Sequence, residues 1–325
     1  MYQDYILITG AAGLIGSAVV RYLNDQGYTN LVLVDDVKKT IKWKNLIGKQ
    51  FLHFISKENL FEWLKNQSSP LKAIIHLGAC SNTLETDGDY LMENNYRYSI
   101  RLAEYAIENR LKFIYASSAA TYGDGSKGFK DDHEGLDQLE PLNLYGFSKH
   151  MFDLWLKQHK ALDKVVGLKY FNVFGPNEYH KGNMASMILK ILPQVMEKGR
   201  IQLFKSSEPE LYKDGGQLRD FIYVKDAARM TCEFLHTDAS GLFNIGSGIP
   251  STWNDLAKAI FSALSLPVHI DYIDMPPNLA KQYQNYTCAD MTKHSKAVQS
   301  NAKSYTLEEA VKDYVMNYLI KDKRW

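Results

Sequence analysis

Tyr145 and Lys149 stand in YGFSK, a spacing that puts both side chains on one face of a helix. A tyrosine hydroxyl titrates near about 10, and a lysine ammonium beside it can lower that value enough for it to act as a base near neutrality. The same lysine can hold the ribose of a nicotinamide dinucleotide. Upstream, KFIYASS (112–118) reads as a buried strand ending at Ser118, and ligands bind at the carboxyl ends of strands in open α/β sheets. Tyrosine, lysine and a strand-end serine in this order suit proton exchange at a reacting oxygen. A further lysine, Lys181, sits in EYHKG (178–182). Its presence beside an already complete pair needs a reason.

These side chains require a frame. TGAAGLIG (9–16) places Gly10, Gly13 and Gly16 between a short apolar strand, YILIT (5–9), and a helical stretch, LIGSAVVRYLND. A tight turn, a close backbone approach to a pyrophosphate and close helix–sheet packing each need a residue without Cβ. The helix N-terminus then offers free N–H groups to the phosphates. LVLVD (31–35) ends on Asp35, with Asp36 next, and both can accept hydrogen bonds from ribose hydroxyls. Lys38, Lys39 and Lys42 follow and can neutralise a 2′-phosphate, so NAD and NADP both remain open.

The first half alternates short apolar runs with helical stretches: a weak strand at 51–55, a helix near 57–66, AIIHL (73–77), a long helix over roughly 89–109, a helix at 146–160 and VVGLKYFNV (165–173). Continuous apolar strands separated by helices predict a parallel sheet covered on both faces. The expected fold is an α/β doubly wound parallel sheet (Rossmann) with a smaller, interleaved C-terminal substrate lobe. RDFIYVKDAARMTCEFL (219–235) reads as a strand and helix returning to the sheet, followed by another strand at GLFNIG (241–246). The dinucleotide domain is therefore assigned to 1–172 plus about 219–246, and the substrate lobe to about 173–218 and 247–325. Helices are expected at 184–198 and near 306–320.

Lys plus Arg (38) and Asp plus Glu (37) nearly cancel, leaving no field for a nucleic-acid backbone. No apolar run approaches the roughly 20 residues of a membrane helix, and the N-terminus shows no basic or long apolar leader. A soluble, cytoplasmic protein without nucleic-acid or membrane partners is expected. Cys80, Cys232 and Cys288 lack CxxC spacing and fit a reducing compartment. The nine histidines show no metal-ligand spacing, so no metal site is expected.

Taken together, the glycine turn, the strand-end serine, YGFSK, RDFIYVKD (219–226) and FNIGSG (243–248) resemble the extended short-chain dehydrogenase/reductase superfamily, whose members act at sugar carbinols. HLGACSNT (76–83), NNY (94–96), YASSAATYG (115–123), PLNLYGFSK (141–149), KYFNVFGP (169–176), HKGNMAS (180–186) and QYQNYTCAD (282–290) look more closely like the ADP-L-glycero-D-manno-heptose 6-epimerase family. That resemblance implies tightly bound NADP or NAD, an ADP-heptose substrate and a homo-oligomer. It places Leu14 and Ile15 at the pyrophosphate, Asp35 and Asp36 at the ribose, and Lys42 and Lys57 beside the adenosine. Leu77, Gly78, Ala79, Cys80, Ser81, Asn94 and Val173 would line the dinucleotide. Asn172, Asn183, Lys190, Phe204, Lys205, Ser206, Ser207, Arg219 and Tyr283 would face the nucleotide sugar.

The resemblance also supplies a reason for Lys181. An epimerase removes hydride from one face of a carbon and returns it to the other. Two acid/bases on opposite sides allow this with only a small rotation of the transient carbonyl. Tyr145 is the first candidate and Lys181 resembles the family's second, with a cationic neighbour and desolvation expected to make it neutral enough to accept a proton. Lys149 tunes Tyr145 and holds the ribose, and Ser118 hydrogen-bonds the reacting oxygen. The expected reaction inverts carbon 6 of ADP-D-glycero-D-manno-heptose. A 4,6-dehydratase needs an Asp–Glu pair shortly after the serine, where Ala119, Ala120 and Thr121 stand. A UDP-hexose 4-epimerase is the alternative enzyme, and a catalytically dead dinucleotide sensor is the non-enzymatic one.

Overall fold

The computed structural model describes residues 4–67, 70–276 and 284–325. Twelve strands occur among them: β1 (Tyr5–Thr9), β2 (Leu31–Val34), β3 (His53–Ile55), β4 (Leu71–His76), β5 (Lys112–Ser118), β6 (Val166–Tyr170), β7 (Asn172–Phe174), β8 (Ile201–Phe204), β9 (Leu218–Tyr223), β10 (Gly241–Ile245), β11 (Pro250–Thr252) and β12 (Ile270–Ile273). Seven form one sheet in the order β10-β6-β5-β4-β1-β2-β3, and every pairing in it is parallel. The doubly wound α/β expectation holds.

The apolar runs are continuous because side chains leave the sheet alternately to two covered faces. Ile6, Ile8, Leu31 and Leu33 pack on one side with Ala18, Val19 and Leu23 of helix α1 (Leu14–Asp25) and with Ala227 and Ala228. Leu7, Val32, Val34 and Ile74 pack on the other with Leu60 and Leu64 of α2 (Leu60–Asn66) and with Leu102, Phe152 and Leu156. Each such fully buried side chain contributes about 1.5–3 kcal/mol of hydrophobic stabilisation.

The stretch foreseen at 89–109 is α3 (Gly88–Leu91), a π-turn (Met92–Arg97) and α4 (Tyr98–Glu108) in succession. The π-turn carries Asn94 and Asn95 to the sheet's carboxyl edge. The YGFSK helix is α5 (Leu144–Gln158), capped by Asn143 Oδ1, which accepts from Gly146 N at 2.8 Å. Helix α6 (Met187–Lys198) starts later than expected, since a 3-10 turn fills Gly182–Met184 and the side chain of Ser186 caps the helix.

Two expectations need correction. The strand within 219–226 does not return to the main sheet: β9 pairs with β7 and β11 in a separate three-stranded sheet. Its helix, α7 (Val224–Glu233), does pack against α1 on the main sheet's face. The stretch 165–173 is not one strand either. It breaks at Phe171, where the Phe171 N–H bonds to Ile245 O at 2.9 Å and β7 turns away. This break puts Asn172 and Val173 at the seam between the sheets. A third, two-stranded sheet joins β8 to β12 in parallel, and the residues near 306–320 form a helix at Leu307–Asp313 continued by a π-turn at Tyr314–Leu319.

One buried ion pair ties α5 to the sheet beneath the candidate site. Asp153 accepts from Lys169 Nζ of β6 at 3.0 Å, and from Tyr115 Oη at 2.8 Å and Ser117 Oγ at 2.7 Å of β5. Lys169 Nζ also donates to Thr121 Oγ1 at 2.6 Å, and both charged side chains are almost fully buried. Removing one partner leaves the other charge uncompensated, so Lys169→Met should destabilise the fold by about 3–5 kcal/mol. Urea unfolding measures this, and a loss under about 1 kcal/mol would mean the pair is not structurally coupled.

Candidate active site

The cradle for a dinucleotide begins at the β1–α1 turn. Gly10 has φ +67° and its backbone lies against Gly78, where an added Cβ would fall 2.7 Å from the Gly78 Cα. At Gly16 a Cβ would fall 2.1 Å from the Gly10 carbonyl oxygen. Only glycine fits either position. Helix α1 begins with no side-chain cap, so its first-turn N–H groups remain available to an anion. At the end of β1, Thr9 Oγ1 meets His76 Nδ1 of β4 at 2.6 Å and accepts from Gly78 N at 3.0 Å, pinning the strand-end loop to β1.

Two adjoining recesses share this turn. One, of about 230 Å³, is lined by Gly10, Asp35, Asp36, Lys38, Lys42, Lys57, Gly78, Ala79 and Asn94. Asp35 accepts from Ala12 N at 2.8 Å and from Lys42 Nζ at 2.6 Å, and Lys57 Nζ bonds Asn94 Oδ1 at 3.0 Å. The other, of about 540 Å³, runs from Gly10, Gly13, Leu14, Ile15 and Gly16 past Leu77 and Ser81 to Ser118, Tyr145, Lys149, Asn172, Val173 and Lys181. The residues present fit a dinucleotide laid across the glycine turn.

The sequence-predicted quartet meets in that second recess. Ser118 ends β5, and its Oγ accepts from Ala120 N at 3.1 Å. Lys149 is buried and donates to Ala116 O at 2.8 Å. Burial pulls its ammonium down to about 8, against the Asp153 carboxylate. Tyr145 departs from expectation. Burial raises its pKa, the Ser118 hydroxyl pulls the other way, and the lysine's charge is not what moves it. Desolvation of the phenolate outweighs neighbouring charge in this site.

Lys181 reaches the recess on the Gly175–Ser186 loop, closed from within by buried Glu178. That carboxylate accepts from Ser186 N and Ser186 Oγ, each at 2.6 Å. Burial lowers the Lys181 pKa, with Glu178 opposing. Its sequence neighbour His180 is held down to about 4 by burial, so that ring is neutral.

The other candidate positions divide. Cys80 is half-buried, with its N–H donated to Asn95 Oδ1 at 2.8 Å and its carbonyl accepting from Asn95 Nδ2 at 3.0 Å. Asn172 and Val173 also line a third recess with Met184, Met187, Phe221 and Trp253. Arg219 lies beside it, its guanidinium 5.7 Å from the Trp253 ring centre. Asn183 and Lys190 do not line any of these recesses. They meet each other, Lys190 Nζ donating to Asn183 O at 2.7 Å. Phe204, Lys205, Ser206 and Ser207 stand off the recesses at the end of β8, where Lys205 pairs with Asp274 at 2.9 Å and Ser206 N donates to Asp214 Oδ1 at 2.9 Å. Tyr283 lies outside the described residues. Asn95, missed beside Asn94, also bonds Ser148 Oγ at 3.0 Å; the NNY motif was its only signal. His180, Thr83 and Met184 line the main recess as well.

The chain belongs to the NAD dependent epimerase/dehydratase family, which it matches over residues 6–246. Within that family it groups with the ADP-L-glycero-D-manno-heptose-6-epimerases. The enzyme so named from Nitratidesulfovibrio vulgaris is 46% identical over 316 residues, covering 96% of this chain and 97% of its own. The crystal structure of the Helicobacter pylori enzyme of that name superposes with a TM-score of 0.78 at 27% identity, covering 97% of this chain and 96% of that one. A UDP-N-acetylglucosamine 4-epimerase from Methanobrevibacter ruminantium, solved with UDP-N-acetylmuramic acid, reaches 0.83 at 25% identity, covering 99% and 100%.

A lowered lysine pKa brings the loss of its charge down the pH scale, so Lys149 is an ammonium below about pH 8 and neutral above it. Dinucleotide held through that charge should be released progressively as pH rises through this value. Absorbance of gel-filtered protein across the interval tests it, with Lys149→Met expected to be low and flat. Retention that increases with pH would contradict the assignment.

Proposed function

We propose that the protein inverts carbon 6 of ADP-D-glycero-D-manno-heptose to the L-glycero form, with tightly bound NAD or NADP. The supporting observation is the convergence of Tyr145 and Lys181 on one recess from separate elements, α5 and the Gly175–Ser186 loop. The nicotinamide supplies the hydride acceptor and donor. Gly10, Gly13, Leu14, Ile15 and Gly16 hold the pyrophosphate, Asp35 and Asp36 the ribose end, and Lys149 the ribose beside the reacting carbon. Lys42, already paired with Asp35 at 2.6 Å, cancels that carboxylate's repulsion of a 2′-phosphate, so the adenosine end tolerates either dinucleotide.

In this reading Tyr145 Oη and Lys181 Nζ exchange the carbon-6 hydroxyl proton on opposite faces. Ser118 Oγ orients the reacting oxygen. Burial matters differently for the two carriers: it brings a lysine closer to the neutral form that accepts a proton, and it keeps Tyr145 protonated until substrate engages it. The sugar extends toward Asn172 and the recess of Met184, Met187, Phe221 and Trp253, with Arg219 beside it. We propose further that the protein is a cytoplasmic homo-oligomer. Among the described residues no helix is long and apolar enough to cross a membrane.

Turnover of ADP-D-glycero-D-manno-heptose beside UDP-glucose and UDP-N-acetylglucosamine tests the substrate. Selective conversion of the heptose is expected; preferential conversion of a UDP-hexose would assign the protein to 4-epimerisation instead. Tyr145→Phe keeps the ring and removes the hydroxyl, so turnover should fall about 100- to 10,000-fold with the fold intact. Near-wild-type turnover would mean that Tyr145 is not a proton carrier.

A further inference from the structure

Lys181 Nζ has no hydrogen-bond partner among the described residues, so the direction of this long side chain depends on how firmly its loop is rooted. The rooting contacts come from far along the chain. Asn177 is buried and has φ +81°, a conformation uncommon for a residue with a Cβ. Its Nδ2 donates to Trp325 O at 3.0 Å and to Ser17 Oγ at 3.0 Å, and its Oδ1 accepts from Trp325 N at 2.9 Å. Two residues on, Tyr179 Oη donates to Lys323 O at 2.7 Å, and the Arg324 guanidinium lies 4.5 Å from the Tyr179 ring centre. Trp325 is itself fixed: its carbonyl accepts from Lys49 Nζ at 2.6 Å, and its ring lies 5.4 Å from Lys225 Nζ. On the opposite side, Asn45 Nδ2 donates to Asn177 O at 2.8 Å and to Ala12 O in the glycine turn at 2.9 Å.

We propose that the segment Lys323–Trp325 is a positioning strap for Lys181, joining the loop that carries it to the glycine turn through Asn177 and Asn45. The proposal rests on the reading of Lys181 as the second proton carrier. The strap touches neither substrate nor cofactor; it acts by holding the root of a side chain whose head is unanchored. A displacement of about 1 Å at a reacting group can cost about 100-fold in rate, so small losses of rooting should appear in turnover before they appear in stability.

Asn177→Gly keeps the left-handed backbone without steric cost and deletes the three side-chain bonds. Tyr179→Phe removes a single hydroxyl and serves if Asn177→Gly folds poorly. The expected result is a kcat lowered roughly 10- to 100-fold in Asn177→Gly and less in Tyr179→Phe, with KM and bound dinucleotide near wild type, and an unfolding temperature near wild type in Tyr179→Phe. In a Lys181→Met background, Asn177→Gly should lower the residual turnover no further, because it acts through the lysine. An equal further loss there, or unchanged kcat in both single variants while Lys181→Met is inactive, would overturn the strap. Full turnover in Lys181→Met would overturn the two-carrier reading, and the strap with it.

Discussion

Inversion at a single carbon by two proton carriers imposes a geometric constraint: the carriers must face each other across the substrate, so they cannot share an element. In the proposed reading the fold meets this by splitting what begins as one apolar run, 165–173. Up to Tyr170 the run is a strand of the main sheet, alongside the β5 strand that ends at Ser118. From Asn172 it belongs to a second sheet, and the chain beyond it forms the loop bearing Lys181. Tyr145 stands on α5 on the main sheet's side. The seam between the two sheets, with Asn172 and Val173 on it, is where a substrate can have a carrier on either hand.

Each side has its own buried anchor. Asp153 and Lys169 fix α5 to β5 and β6 within the core, which sets where Tyr145 and Lys149 stand relative to Ser118. Glu178 closes the opposing loop with two charge-assisted bonds from Ser186. Both anchors are carboxylates removed from water, and such groups persist only when their lone pairs are satisfied. The same desolvation acts on the groups proposed to react. It lowers Lys149 and Lys181 and raises Tyr145. It also holds buried His76 to about 3, so the histidine beneath the glycine turn is a neutral ring hydrogen-bonded to Thr9 and Ser99.

The sequence was legible where local chemistry dictates geometry. Gly10 and Gly16 were readable because their spacing between strand and helix leaves no room for a Cβ, and Tyr145 with Lys149 because four residues make one helical turn. The doubly wound sheet followed from unbroken apolar strands. What escaped was set by distant pairing. Nothing local in RDFIYV distinguishes a strand of the main sheet from one paired with β7 and β11. The shift expected for Tyr145 took account of the charge next door but not of burial, which only the folded chain supplies. The family resemblance pointed to Asn183 and Lys190 as substrate contacts, but in this chain the lysine spans back to the Asn183 carbonyl. Asn45 and Asn177 carried no motif at all, since their value lies in partners such as Ala12 and Trp325 that are remote in sequence.

The central claim is that Tyr145 and Lys181 serve opposite faces of one carbon. Its most direct test is dismutation of a carbon-6 aldehyde analogue of the substrate by Tyr145→Phe and by Lys181→Met, with the configuration of the alcohol product determined for each. The account predicts that both variants lose epimerisation of the full substrate, that each keeps reduction on one face, and that the two faces differ. If both variants lose the same product, or if Lys181→Met weakens substrate binding while leaving saturated turnover unchanged, the lysine is a binding contact and inversion proceeds around a single carrier.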